Sequence, residues 1–161
     1  MPTNYPFPRP DTIQQIIGDL LGRSVTITRG DTFVLDPGTP AVVSDYLAED
    51  GAIAAVCITD LRLSNALGAA LTMVDPATVE ESVRKAEIDD KNLENLAEIV
   101  KIMARLFNHD DCAHLRWNNA HAVPGELPVE TVALMKNPAA RRDFDVTVDE
   151  YGAGKLAVIV G

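Results

Sequence analysis

Residues 89–108, DDKNLENLAEIVKIMARLFN, decide the fold, because they join a helical apolar repeat to one narrow charged rib. At about 100° per residue, Leu93, Leu96, Ala97, Val100, Met103, Ala104 and Phe107 share a face, which Ile99, Ile102 and Leu106 widen. Opposite them run Glu94, Glu98, Lys101, Arg105 and Asn108, and Asp89 and Asp90 cap the start. A helix that is apolar round most of its girth yet keeps a charged rib is either half-sunk in its own fold or presents that rib to a partner.

Upstream, the order of elements is clear. Four prolines within residues 1–10 mark an extended lead-in. Asp11 and Gln14 have the form of a variant capping box, and Ile13, Ile16, Ile17, Leu20 and Leu21 give a helical face that Gly22 can end. Residues 24–28 alternate as a strand, 32–35 form a shorter extended piece, and the segment 36–40 breaks the chain. Residues 41–47 and 52–58 predict a hairpin whose second strand, apolar on both faces, belongs at the centre of a sheet. Thr59 and Asp60 then cap a Leu- and Ala-rich helix over 61–74, and Asp75-Pro76 opens another that runs to residue 86.

Downstream of the long helix, residues 113–117 read as a strand, Asn118-Asn119 as a turn and 122–127 as an extended piece broken by Pro124 and Gly125. The stretch 130–136 fits either helix or strand, and 143–148 with 155–160 close as a hairpin. Helix, strand, broken segment and hairpin therefore occur twice, over 11–58 and 90–160. This repeat predicts an α+β domain with pseudo-twofold symmetry, two long helices packed on one face of a mostly antiparallel sheet. The whole chain, 1–161, is expected to be a single domain.

Composition narrows the function classes. A hydrophobic share of 47% with 24% charged residues is that of an ordinary globular domain. The net charge of −10 repels phosphate backbones and anionic head groups, so neither nucleic acid nor membrane is expected as a partner. No apolar run reaches bilayer length and the first residues have no signal-peptide core, which points to the cytoplasm. Cys57 lies in an apolar strand and Cys112 in a polar stretch, so two reduced thiols are expected.

Residues 93–108, LENLAEIVKIMARLFN, resemble the signature helix of the CheC/CheX/FliY family of chemotaxis phosphatases, in which a Glu is followed three residues later by an Asn. Glu98 stands at the Glu. Glu94 stands where the family has Asp or Ser, and Pro124 falls at the family's proline, twenty-three residues after Lys101. Residues 51–74, GAIAAVCITDLRLSNALGAALTMV, resemble the family's strand and following helix. The resemblance implies a CheX-like or CheC-like domain that binds a CheY-like response-regulator receiver, with Glu98 engaging the receiver's active-site lysine and no cofactor. In the family the Asn positions the water that attacks the aspartyl phosphate.

This chain has Lys101 at the Asn position. An ammonium has donors and no acceptor, so it attracts a phosphoryl group but cannot align a water as an amide does. The expectation is receiver binding through Glu94, Glu98, Lys101, Arg105 and Pro124, with phosphatase activity lost or weak. The first helix offers Gln15 and Gly18 at the equivalent spacing, so no second intact motif stands there.

Other readings stand beside this one. Glu98 and Lys101 are spaced as a solvated i,i+3 ion pair. The domain could be a non-catalytic module that homodimerises through this helix or a sheet edge. His109, Asp110, Asp111, Cys112 and His114 form a cluster that a metal-dependent enzyme could use, although His109 also suits a helix C-terminus and only His121 could add a further imidazole. No metal site is assigned.

Overall fold

The computed structural model describes residues 8–36, 38–108 and 114–161. Its elements follow in the order α1 (Pro10–Leu21), β1 (Val25–Arg29), β2 (Ala41–Leu47), β3 (Ile53–Asp60), α2 (Leu61–Leu71), α3 (Ala77–Arg84), α4 (Asp90–Ile102), β4 (Arg116–Val123), α5 (Val129–Lys136), β5 (Ala140–Val148) and β6 (Gly152–Val160). The six strands make one antiparallel sheet in the order β1-β5-β6-β3-β2-β4. Exchanging β1 with β4, β2 with β5 and β3 with β6 returns the same order read backwards. The predicted pseudo-twofold is thus present, and its axis passes the β3–β6 pair, where Cys57 faces Val158.

Strand alternation divides the core. On one face Val42, Tyr46, Cys57, Val146, Leu156 and Val158 meet Ile13 and Ile17 of α1, Leu63, Ala66 and Leu67 of α2, and Leu96, Ile99 and Val100 of α4. On the other face Val43, Val56, Ile58 and Ile159 meet Leu134 of α5, with Phe33 and Leu35 alongside. The two long helices, α1 and α4, lie on one face as expected, and α2 packs between them. Burial pushes the Cys57 thiol up to about 12, so it behaves as a small hydrophobe.

The helix α2 approaches α4 closely because Gly68 has no side chain: a Cβ there would stand 2.2 Å from the Asn92 carbonyl oxygen. Amide side chains fill this contact. Asn65 accepts from the Asn92 side chain at 3.1 Å and from the Asp89 N–H at 3.2 Å, and Asn95 donates to the Gly68 carbonyl at 3.0 Å and to Thr72 at 3.1 Å. Sequence periodicity leaves out Asn92 and Asn95, yet both are buried. Each donates from its side-chain amide to a partner on α2, which offsets the cost of burying it.

Several predicted boundaries shift. The helix expected over 89–108 is α-helical only to Ile102 and continues as a 3₁₀ turn, Met103–Phe107. The buried pairs Met103 with Leu106 and Ala104 with Phe107 are three apart, and the three-residue pitch points both inward while Arg105 stays exposed. The turn expected at Asn118-Asn119 is a bulge within a continuous β4. The first helix starts at Pro10, one residue inside the expected lead-in, and Gln14 accepts from the Ile27 N–H at 3.0 Å instead of completing a capping box. Residues 130–136 belong to α5, on the opposite face from α4. Residues 32–35 form no strand, and Asp143 and Arg141 of β5 clip Phe33 by its backbone N–H, at 2.5 Å, and its carbonyl.

Candidate functional site

The apolar stripe of α4 is drawn onto the sheet, so its charged rib faces outward. Glu94, Glu98, Lys101 and Arg105 are all exposed. Asp89 caps the helix by accepting from the Asn92 N–H at 3.1 Å. At the other end Tyr46 of β2, fully buried, donates to the Val100 carbonyl at 2.6 Å and tilts against Phe107 at 5.4 Å between ring centroids. The rib is therefore carried on a backbone held at both ends.

Within the rib, Lys91 approaches Glu94 at 3.6 Å. Among the described residues Glu98 and Lys101 form no ion pair, with each other or with any other group. The i,i+3 pair that their spacing allows is not made. Arg105 has no carboxylate within 4 Å among the described residues either. Asn108 leaves the rib: its side chain turns back to bracket Leu115, donating to its carbonyl at 3.1 Å and accepting from its N–H at 2.7 Å.

Pro124 lies just beyond β4. Val100 sits over Tyr46, which pairs with Trp117 near the start of β4, whereas Pro124 follows Val123, which pairs with Ala41 at the far end. The separation along β4 is about 20 Å at roughly 3.3 Å per residue. Pro124 follows a cis peptide bond and lines a cleft of about 290 Å³ with Leu35, Asp36, Thr39, Val123, Gly125 and Leu127, none of them from α4. The structure exposes Glu94, Glu98, Lys101 and Arg105 along α4, while Pro124 lines this cleft at the end of β4.

Of the histidine cluster, His109, Asp110, Asp111 and Cys112 lie outside the described residues, and His114 is exposed. No group of three or more His, Cys, Asp or Glu side chains able to hold a metal occurs among the described residues. His121 is engaged elsewhere, in a polar cluster that sequence reading missed. Asp45 of β2 is fully buried on the α5 face, and its two oxygens accept four hydrogen bonds. One takes the Asn118 side chain at 2.9 Å and the Asn119 N–H at 3.2 Å, and the other meets His121 Nε2 at 2.9 Å and the Thr131 hydroxyl at 2.8 Å. The one signal in the sequence is an acid, beside Ser44, inside a mostly apolar strand. Every lone-pair direction of the carboxylate is used, so the cluster ties β4 and α5 to β2 and leaves no acceptor for a substrate.

A second cleft, of about 300 Å³, lies between the Phe33–Asp36 segment, Pro40, Leu61 and Val83, with Asp60 and Arg62 at its wall. Arg62 is held in a bidentate pair with Glu80, at 2.5 and 3.1 Å. No described helix is long and apolar enough to cross a membrane.

No protein-family model matches the chain, and no curated protein matches it in sequence. Solved structures do match it in fold. A chain of the FliM–SpeE complex of H. pylori superposes with a TM-score of 0.68 at 8% identity, covering 94% of this chain and 80% of that one. A chemotactic CheC-like protein of Shewanella oneidensis gives 0.57 at 12% identity over 100% of both chains. A chain of the CheX–CheY–BeF3–Mg2+ complex of Borrelia burgdorferi gives 0.56 at 10% identity over 93% of each. The chain therefore has the CheC-like α+β fold, as the resemblance in its α4 segment implies.

Proposed function

We propose that this chain is a CheX/CheC-like module that binds a CheY-like receiver through the exposed rib of α4, with aspartyl-phosphate phosphatase activity lost or weak. The observation that carries the reading is Lys101. It stands exposed one turn after Glu98, at the position the resemblance gives to the water-aligning Asn, and is engaged by no neighbour among the described residues. A crystallised complex of CheX with CheY, of the same fold, supports a receiver as partner. In-line attack on an acyl phosphate depends on an aligned water, and an ammonium lacks the acceptor half of that alignment.

The test uses the purified chain and the receiver domains of the organism that encodes it. One of these receivers should bind, Glu98→Ala should weaken that binding, and the receiver's phosphoryl group should decay no faster than it does alone. Clear acceleration of decay by the wild-type chain overturns the reading.

A second reading, a homodimerising interaction domain, rests on β1 and β4, each of which has only one neighbour in the sheet. Light scattering that shows a dimer with no receiver bound would favour it.

A further inference from the structure

The cleft beside the Phe33–Asp36 segment joins an apolar floor to an acidic wall, and none of its lining residues belongs to α4. Phe33, Leu35, Pro40, Leu61 and Val83 supply the apolar part of its volume of about 300 Å³, and Asp36 and Asp60 supply negative charge. Asp60 stands partly buried at the junction of β3 and α2. Its carboxylate accepts from the Leu63 N–H at 2.8 Å and from the Lys155 N–H, out of about four bonds that such a group can take. Gly154 leaves the space that this carboxylate occupies, since a Cβ on that residue would stand 2.5 Å from Asp60 Oδ1.

The two cations whose fields reach Asp60 give their charged ends to other acids, Arg62 to Glu80 and Lys155 to Asp145. Neither Asp36 nor Asp60 has a cation within 4 Å among the described residues. Burial raises the Asp60 carboxyl above its ordinary value, so its charge stands at a cost that a cation beside it would offset. An apolar recess of about this size with a few placed polar groups is the usual form of a small-molecule site. An anion would meet both carboxylates and the chain's net charge of −10. From the cleft alone, and independently of the receiver reading, we propose that it binds a small organic ammonium ion, with the apolar tail against Leu35, Leu61 and Val83 and the charged head at Asp60.

The experiment titrates the intact, isotopically labelled chain with hexylammonium chloride at neutral pH and follows the backbone amide resonances. The shifts should saturate with a dissociation constant of about 1 mM, ordinary for so few atoms, and should be largest at Leu35, Leu61 and Val83. Hexanol has the tail without the charge and methylammonium the charge without the tail, so each should bind about tenfold more weakly or worse, and hexanoate should not bind. Asp60→Asn keeps the acceptor that caps α2 and removes the charge. Its affinity for hexylammonium should fall about tenfold, while its affinity for hexanol should not fall. Hexanol or hexanoate binding as tightly as hexylammonium, shifts that never saturate or centre outside the cleft, or an Asp60→Asn chain that binds hexylammonium as wild type does, overturns this inference. Each of those outcomes leaves receiver binding by α4 intact.

Discussion

The Tyr46 hydroxyl donates a 2.6 Å hydrogen bond to the carbonyl of Val100, the residue immediately before Lys101. Burial first, and then the neighbouring Cys57, push this phenol well above its ordinary range, so it remains a donor across the working pH. A fully buried strand residue thereby fixes the backbone that carries the rib. Tyr46→Phe should cost about 1 kcal/mol of stability and speed hydrogen exchange in the last turn of α4. Unchanged exchange there would show that the bond does not hold the helix end.

Gly68→Ala places a methyl 2.2 Å from the Asn92 carbonyl oxygen, a backbone atom that cannot rotate away. The helices α2 and α4 must separate, and overpacking of this kind costs about 1–3 kcal/mol. The urea midpoint should fall with the slope unchanged. A midpoint equal to that of wild type would mean that the helices part without loss.

Asp45→Ala leaves His121, Thr131, Asn118 and Asn119 without their shared acceptor. Stranding several donors around a buried site should cost about 3 kcal/mol. Thr131→Val removes one bond and should cost about 1 kcal/mol. Amide exchange distinguishes a local effect from a global one, because β4 should lose protection before β3 and β6.

Asp60 caps α2 from a partly buried position, accepting from the Leu63 N–H at 2.8 Å. Burial raises its carboxyl above the ordinary value, against the lowering effect of the Leu63 and Lys155 backbone bonds. The folded chain thus holds this proton more tightly than the unfolded chain does. Its contribution is fully present below the unfolded value and is lost as pH rises through the folded one. Asp60→Asn keeps the cap acceptor without a charge to bury. It should be more stable than wild type at neutral pH, with the gap closing as pH falls through the carboxylate range. Urea midpoints measured across that range decide the matter, and a gap independent of pH would mean that the fold does not raise this carboxyl.

Lys101→Asn restores an amide, which has both donor and acceptor, three residues after Glu98. If the rest of the rib is intact, this variant should speed the dephosphorylation of a bound receiver by about tenfold or more. The same substitution should leave the melting temperature unaltered, since Lys101 is exposed and engaged by no neighbour among the described residues. Decay as slow as with wild type would locate the lost chemistry elsewhere in the rib.

What could be read from the sequence follows from the range of each interaction. The apolar faces of α1, α2 and α4 and both hairpins are local patterns, and the exposed Glu94, Glu98, Lys101 and Arg105 are simply what the apolar stripe leaves outside. Asn95 looks like a misplaced polar residue until Gly68, 27 positions upstream, comes beside it. Asp45 is likewise a defect in a strand until Asn118, 73 positions on, and Thr131, 86 positions on, arrive as donors. The missing bond between Glu98 and Lys101 is invisible for another reason, since their spacing permits the pair and side-chain conformation decides it. The α-to-3₁₀ change after Ile102, which turns Met103, Ala104, Leu106 and Phe107 inward, is not legible because an apolar run of this kind also fits a continuing α-helix.

The place of β3 and β6 beside the twofold also sets a timetable for synthesis. Cys57 pairs with Val158 and Val25 with Val148, so the strands made first wait for the strands made last. While the second half is still emerging from the ribosome, the β2–β3 hairpin exposes an open edge bearing Val56 and Ile58, a template for pairing with other chains. Pairings this distant close slowly and expose nascent chains to aggregation. A nascent chain stalled before β6 should therefore recruit a chaperone that the released domain no longer needs.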